Sequence, residues 1–347
     1  MLGRCASLGA GERGYSEQIM GDRTGIEWTD ATWNPVTGCT KVSQGCKNCY
    51  AERVFPRVYG PKSEMWSEGG GLMRPRRFTD VATHPERLDQ PLRWKRPRRI
   101  FVNSMSDLFN EAVPDRFIIS VFNVMRQCHW HIFQVLTKRP ARMRDFCERL
   151  RFRGDGLGRM WLDLPGECTG YRLMGGGGCT GLRWVQLGVS CEDQATADER
   201  IPLLLQTPAA VRFVSLEPLL GPIDLMGSLI HLRAGPNTIV DLPALDWVIA
   251  GGESGPKARP MHPDWVRSLR DQCVAAKVPF FFKQWGEWAP ESAIVDDGSP
   301  FAQTYLSNSA VEICERGERV YRVGKKRTVA LLDGREWKEF PKLRANS

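Results

Sequence analysis

Residues 246–286, DWVIAGGESGPKARPMHPDWVRSLRDQCVAAKVPFFFKQWG, contain one complete round of the pattern that decides the fold. An apolar run, DWVIAGG, stops at a glycine pair and a polar stretch. A helical segment follows, with proline near its start, Val266, Leu269, Cys273 and Val274 at helical spacing, and Lys277 closing it before Pro279. VPFFFKQWG then resumes an extended run. A helix between two strands carries the chain back for parallel pairing and covers one face of the sheet.

The same alternation extends towards the N-terminus. Seven β-rich runs can be read: TWNPVTG, RIFVNSM, HIFQVLT, RWVQLGVS, VRFVSLEPL, DWVIAGG and VPFFFKQWG. Helical patterns lie between them at 48–58, 114–128, 140–150, 196–206 and 263–277. Such alternation implies a parallel sheet with right-handed crossovers. The expected fold is α/β, a partial TIM-type (β/α) barrel, with a doubly wound sheet as the alternative. In a barrel the functional site is built at the carboxyl ends of the strands. Here those ends are polar: Asn103, Ser104, Ser106 and Asp107 after the second run; Thr137, Lys138 and Arg139 after the third; Ser190, Glu192 and Asp193 after the fourth; Glu217 after the fifth; GGESG at 251–255 after the sixth; Lys283, Gln284 and Trp285 after the last.

The barrel is expected over residues 22–290. Residues 1–21 read as a flexible extension, Gly-rich and without apolar periodicity. The Gly-rich stretch at about 151–183, with Cys168 and Cys179, reads as an insertion, either a lid over the mouth or surface decoration. Residues 291–347 form a small tail in which RVYRVGKKRTVALLDGREW can make a hairpin turning at LDGR.

A hydrophobic fraction of 42% with 25% charged residues is that of a globular protein able to bury a large core, which excludes a disordered chain. There is no run of about 18 uncharged apolar residues and no apolar signal core at the N-terminus, so a cytoplasmic protein without a membrane span is expected. The formal charge of +8, with basic runs such as RWKRPRR and TKRPARMRDFCERLRFR, suits a polyanionic partner as well as it suits a solvated basic face.

In a reducing compartment, eleven cysteines do not imply a disulfide framework. Three of them crowd into GCTKVSQGCKNCY: Cys39, Cys46 and Cys49, at C-x6-C-x2-C. Such a set can hold iron–sulfur, zinc or nothing. Structural zinc needs four ligands, and His84 is the nearest histidine. A [4Fe–4S] cubane accepts three thiolates and leaves one iron open, whereas electron-transfer clusters mostly use four cysteines. Three thiols at a barrel mouth therefore suggest an open iron suited to a cofactor.

With three cysteines just after its first strand, the barrel resembles the radical S-adenosylmethionine (SAM) superfamily, whose usual spacing is C-x3-C-x2-C. More closely, IEWTDATWNPVTGCTKVSQGCKNCYAE, LTKRP, LGVSCEDQATADERIPLLLQTPAAVRFVSLEPLLGPIDL, WVIAGGESGPKARPMHPDWVRSLRDQC and PFFFKQWGEW resemble the phage and prophage family named for its three-Cys motif. The resemblance spans about residues 22–289 and extends to RVGKKRTVALLDGREWKEFP in the tail. It implies a radical-SAM-like fold, a [4Fe–4S] cluster on Cys39, Cys46 and Cys49, and SAM as cofactor. Tyr50 then stands where an aromatic is frequent in radical-SAM motifs. The family is largely catalogued as a domain of unknown function and is often encoded beside a companion protein.

The remaining candidates each carry a structural alternative. Gly251, Gly252 and Glu253 could contact a cofactor amine, or form a tight turn. Ser104, Ser106 and Asp107 could bind an amino-acid moiety, or cap the next turn. Ser190 and Glu192 fall where ribose contacts are common in the superfamily, and Asp193 can start the following helix. Glu217, amid apolar residues, needs a partner or a raised pKa, and Lys138, Arg139 or Lys283 can supply the partner. Glu217 and Lys283 are the candidate catalytic pair. Trp285 and Trp288 could stack on a base, although packing is the commoner use. His129 and His131 read as structural, and His262 as a weak acid–base candidate.

The expectation is an iron–sulfur, radical-SAM-type enzyme modifying or repairing nucleic acid or a nucleotide. One rival is a cluster-bearing nucleic-acid-binding or redox-sensing protein without SAM chemistry; another is a zinc-stabilised barrel acting with a partner protein.

Overall fold

The computed structural model describes residues 24–59, 76–154, 160–164, 172–177, 181–229, 244–295, 309–314 and 317–342. The extension expected at 1–21 lies outside them. All seven expected strands form: β1 (Ala31–Trp33), β2 (Arg99–Val102), β3 (Ile132–Thr137), β4 (Val185–Ser190), β5 (Val211–Leu216), β6 (Trp247–Gly251) and β7 (Phe280–Gln284). They pair in sequence order, each parallel to the next, and β1 does not meet β7. The result is an open β/α half-barrel, the partial barrel that strand–helix alternation predicts.

Five helices occupy the expected places: α1 (Tyr50–Tyr59), α2 (Asp115–Gln127), α3 (Pro140–Arg149), α4 (Gln194–Gln206) and α5 (Pro263–Ala276). α4 begins two residues earlier than the pattern at 196–206, because Asp193 caps it: the Asp193 carboxylate accepts from the Thr196 N–H at 2.9 Å. In α5, Val266, Leu269 and Cys273 are buried as expected, but Val274 is 55% exposed. Adjacent helical positions point about 100° apart, and Cys273 takes the core side. Among the described residues no helix is long and apolar enough to cross a membrane.

The sheet has two apolar faces. Alternate side chains such as Val102, Phe133, Val135, Val189 and Val248 join the large core beneath the helices. On the other face, Trp28, Phe213, Trp247, Ile249 and Phe281 form a second cluster with Phe101, Leu136 and Phe340. Gly188 is required there, since a Cβ would stand 2.6 Å from the Phe213 ring. The tail closes this side: the Trp337 carbonyl accepts from the Phe282 N–H at 2.8 Å, and Phe340 packs against Trp247 and Phe281 at ring separations of 5.4 Å.

The stretch read as an insertion forms a three-stranded antiparallel sheet of Arg151–Gly154, Met160–Asp163 and Arg172–Gly177. It is tied to the helical layer. The Asn123 amide of α2 accepts from the Leu162 N–H at 2.8 Å and donates to the Leu162 carbonyl at 2.9 Å, and Leu162 and Leu164 enter the large core. In the tail, Arg319–Arg322 pairs with Trp288–Pro290 and Val311–Ile313, and Leu332 and Arg335 face each other across a turn with positive φ at Asp333 and Gly334.

Candidate functional site

The three-cysteine loop leaves β1 and lies over the carboxyl ends of the strands. Val36–Thr37 pairs with Ala82–Thr83, and Gly38 then turns with φ 86°. A Cβ at Gly38 would lie 2.7 Å from the Asp80 carbonyl oxygen and 2.9 Å from that of Phe78, so the turn needs glycine. The Cys39 N–H donates to the Phe78 carbonyl at 2.8 Å. One 3-10 turn, Gln44–Cys46, leads to α1, and Cys49 stands immediately before it.

Burial pushes the Cys39 thiol up to about 11, with the Asp107 charge adding to the rise and Arg139 opposing it. Burial also raises Cys49, against the backbone N–H groups of Glu52 and Ala51, which donate to its sulfur from the first turn of α1. Cys46 lies within electrostatic reach of both other thiols. All three are unpaired and partly exposed. Among the described residues no group of three or more His, Cys, Asp or Glu side chains is gathered closely enough to hold an ion. The donor set nonetheless fits a thiolate-bound cluster. Cys39 Sγ receives N–H donors from Arg139 at 3.8 Å and Asn110 at 4.0 Å, Cys49 receives helix N–H groups, and thiols raised by burial ionise most readily when a cation replaces the proton.

Three carboxylates at strand ends face this loop. After β2, Asp107 accepts from Thr137 Oγ1 at 2.7 Å, the Lys138 N–H at 3.0 Å and Arg139 Nη1 at 3.1 Å. Arg139 continues to Thr40, its Nη2 lying 2.6 Å from Oγ1. After β4, Glu192 is fully buried, pairs with Arg200 at 3.1 Å and Lys138 at 3.4 Å, and accepts from the Ser43 hydroxyl. Burial raises its pKa; Lys138, Ser43 and Arg200 more than reverse this, leaving it below the ordinary value. After β6, Glu253 accepts from Asn48 at 3.0 Å and from the Arg259 side chain at 2.7 and 2.9 Å, and Arg259 Nη2 donates to the Gln44 carbonyl at 3.1 Å. Its pKa is likewise lowered, burial being outweighed by Arg259 and Asn48.

The other sequence-derived candidates are also engaged within the protein. Ser104 donates to the Asn34 side chain at 3.2 Å, Ser106 to the Val36 carbonyl at 2.8 Å, and Ser190 accepts from Lys138. The Gly251 carbonyl accepts from the Leu219 N–H at 3.0 Å, and the Gly252 N–H donates to the Gln284 carbonyl at 2.9 Å. A Cβ at Gly252 would overlap the Trp285 carbonyl, so the close approach of β7 explains that glycine. Glu217 and Lys283 meet, with Lys283 Nζ at 2.7 and 2.9 Å from the two carboxylate oxygens, and Gln284 Nε2 at 3.2 Å. Trp285 and Trp288 donate to the carbonyls of Leu331 and Ala258, His131 Nε2 lies 3.1 Å from the Pro91 carbonyl oxygen, and His262 stacks on Trp265 at 4.2 Å. Tyr50 is 63% exposed with Arg53 over its ring. Sequence reading missed Ser43, Asn48, Asn110 and Arg259, whose roles arise from contacts between distant segments, and Arg200, which folds back from α4 onto Glu192 eight residues before it.

Fold and site together define an α/β protein of the open β/α half-barrel class, with a three-thiol loop at the strand carboxyl ends. The chain belongs to the family described as "Protein of unknown function (DUF5131)", whose model matches residues 23–341. No curated protein matches it. Among solved structures it is similar to a spore photoproduct lyase complexed with dinucleoside spore photoproduct, at 8% identity and TM-score 0.37, over 88% of this chain and 71% of that one. A mutant of spore photoproduct lyase gives 9% identity and TM-score 0.38 over the same shares.

Proposed function

We propose that the chain is an iron–sulfur enzyme of radical-SAM type, in which Cys39, Cys46 and Cys49 hold a [4Fe–4S] cluster with one iron open to SAM, and that it acts on nucleic acid or a nucleotide. The observation that carries this reading is a loop of three unpaired thiols over the strand carboxyl ends of an open parallel half-barrel. The resemblance to the three-Cys-motif phage family supports it, and the +8 charge suits a polyanionic substrate. Bound there, the cluster supplies one-electron reduction of SAM and so a carbon radical for hydrogen abstraction. The chain's own residues hold the thiols: Arg139 and Asn110 donate to Cys39, and the start of α1 donates to Cys49. Glu217 and Lys283, only partly buried, are assigned to the substrate; a substrate phosphate can take Lys283 from Glu217 and leave that carboxylate to accept a proton. A companion protein encoded nearby is an expected partner.

The test is formation of 5′-deoxyadenosine by the reduced, iron-loaded protein, with Cys46→Ala as control. The reading expects product only when all three cysteines are present. Binding to mixed DNA and RNA should weaken steeply with salt, and indifference to salt would remove the polyanion from the account. A second reading is favoured by the engagement of Ser104, Ser106, Asp107, Ser190, Glu192 and Glu253 within the protein: a cluster without SAM, serving nucleic-acid binding or redox sensing. A loaded, reduced protein that forms no deoxyadenosine would select it.

A further inference from the structure

The six residues between Cys39 and Cys46 form a spacer whose own hydrogen bonds are few, and ordering a free residue costs about 1–2 kcal/mol. The half-barrel fixes this spacer from outside at three strand ends. Arg139, paired with Asp107, binds Thr40 through side chain and carbonyl. Arg259, paired with Glu253, binds the Gln44 carbonyl, while Glu253 also takes Asn48. Between these anchors Glu192, with no exposed surface, accepts from Ser43, and a Cβ on Gly45 would overlap its Oε1.

We propose that Glu192 is the positioning residue of the three-thiol site, setting the separation of Cys39 and Cys46 through Ser43 and Gly45, while Asp107–Arg139 and Glu253–Arg259 hold the two flanks. This inference rests on the cluster reading above for its purpose, though not for its geometry. A carboxylate without accessible surface cannot touch a cofactor, so Glu192 acts through the loop. Arg200 and Lys138 both pair with Glu192 and hold its carboxylate beneath Ser43. Gly45 is then glycine because the carboxylate occupies the space of its side chain.

The test uses the full chain with Gly45→Ala, Glu192→Asp and the double variant, read in two ways. In metal-free protein, the relative alkylation rates of Cys39, Cys46 and Cys49 are followed by mass spectrometry; in reconstituted protein, retained iron is counted. Gly45→Ala should change the Cys39 and Cys46 rates relative to Cys49 and weaken metal affinity about 10- to 100-fold, with circular dichroism unchanged. Glu192→Asp keeps Cγ in overlap with the new Cβ but withdraws the carboxylate from Ser43, so it should shift the same ratios on its own and leave the double variant no better than Gly45→Ala. Unchanged alkylation ratios in Gly45→Ala, or in Glu192→Asp, would overturn the proposal. If Gly45→Ala does not fold, Ser43→Ala should shift the same ratios, and unchanged ratios there would overturn it equally. A wild-type chain that retains no iron, while the alkylation ratios respond as stated, supports the positioning and overturns only the cluster reading.

Discussion

At the carboxyl ends of its strands the half-barrel is held by charge; across one face of its sheet it is held by aromatic rings. Above, Asp107, Glu192 and Glu253 each meet an arginine and, directly or through it, a point on the cysteine loop. On the aromatic face, Trp28 packs against Phe101 at 4.7 Å and Trp247 at 6.2 Å, and Phe340 from the tail completes the floor. Ring burial is non-directional and contributes about 1.5–3 kcal/mol per side chain, so the floor secures that the sheet forms. Buried ion pairs add little net stability but tolerate few geometries, so the mouth secures where the thiols stand. The contrast separates residues whose loss unfolds the protein from residues whose loss disorders one loop.

The largest effect is expected on the floor. Trp247→Ala should cost about 3–5 kcal/mol in denaturant unfolding, because it empties a site touched by Trp28, Phe213, Phe281 and Phe340, while alkylation ratios in the folded fraction stay at wild-type values. A cost below about 1 kcal/mol would break the contrast from that side. Next comes Glu253→Ala at the mouth, for which about 1–3 kcal/mol is expected from the unpaired Arg259, with hydrogen exchange accelerating at 44–48 rather than in the sheet. Faster exchange in β5 and β6 instead would show that the mouth is not a separate device.

Acid should dissect the two regions without mutation. Glu192 and Glu253 are both held below the ordinary glutamate value of 4.5, so the stability they contribute is present above that pH and lost as pH falls through their folded values. After correction for intrinsic rates, exchange in the loop should rise below pH 4.5 before strand amides of the floor respond. Simultaneous loss would merge the two regions. The smallest effect is expected from Lys41→Ala, which removes the exposed Lys41–Glu52 pair at 2.8 Å; about 0.5 kcal/mol or less should be lost in denaturant unfolding.

The strands and their parallel order were legible from local pattern. Runs such as HIFQVLT and VPFFFKQWG declare themselves by composition, and proline and Asp193 mark helix starts. The cysteine loop was legible for the same reason, since its three thiols lie within eleven residues. Glu217 with Lys283 was legible in part: a carboxylate amid apolar residues requires a cation, and lysine is the one it meets. What surrounds the loop was not legible. Ser43 reaches Glu192 across 149 positions and Asn48 reaches Glu253 across 205, and no spacing rule pairs residues that far apart. Polar strand-end residues were legible as candidates, but the neighbours they meet in the chain, such as Thr137 for Asp107 and Ser43 for Glu192, were not. Val274 shows the local limit: on α5 Cys273 takes the core side and its apolar neighbour Val274 is left exposed, which composition does not tell.

The proposed site is a four-iron cluster with one open iron, held together by Cys39, Cys46 and Cys49. It is tested most directly by anaerobic reconstitution with iron and sulfide, followed by metal analysis and electron paramagnetic resonance of the reduced protein with and without SAM. The account predicts about four iron and four sulfide per chain, lost in Cys46→Ala, and a cubane signal that changes when SAM is added. A chain that retains zinc or no metal, or whose iron content is indifferent to Cys46→Ala, would contradict it.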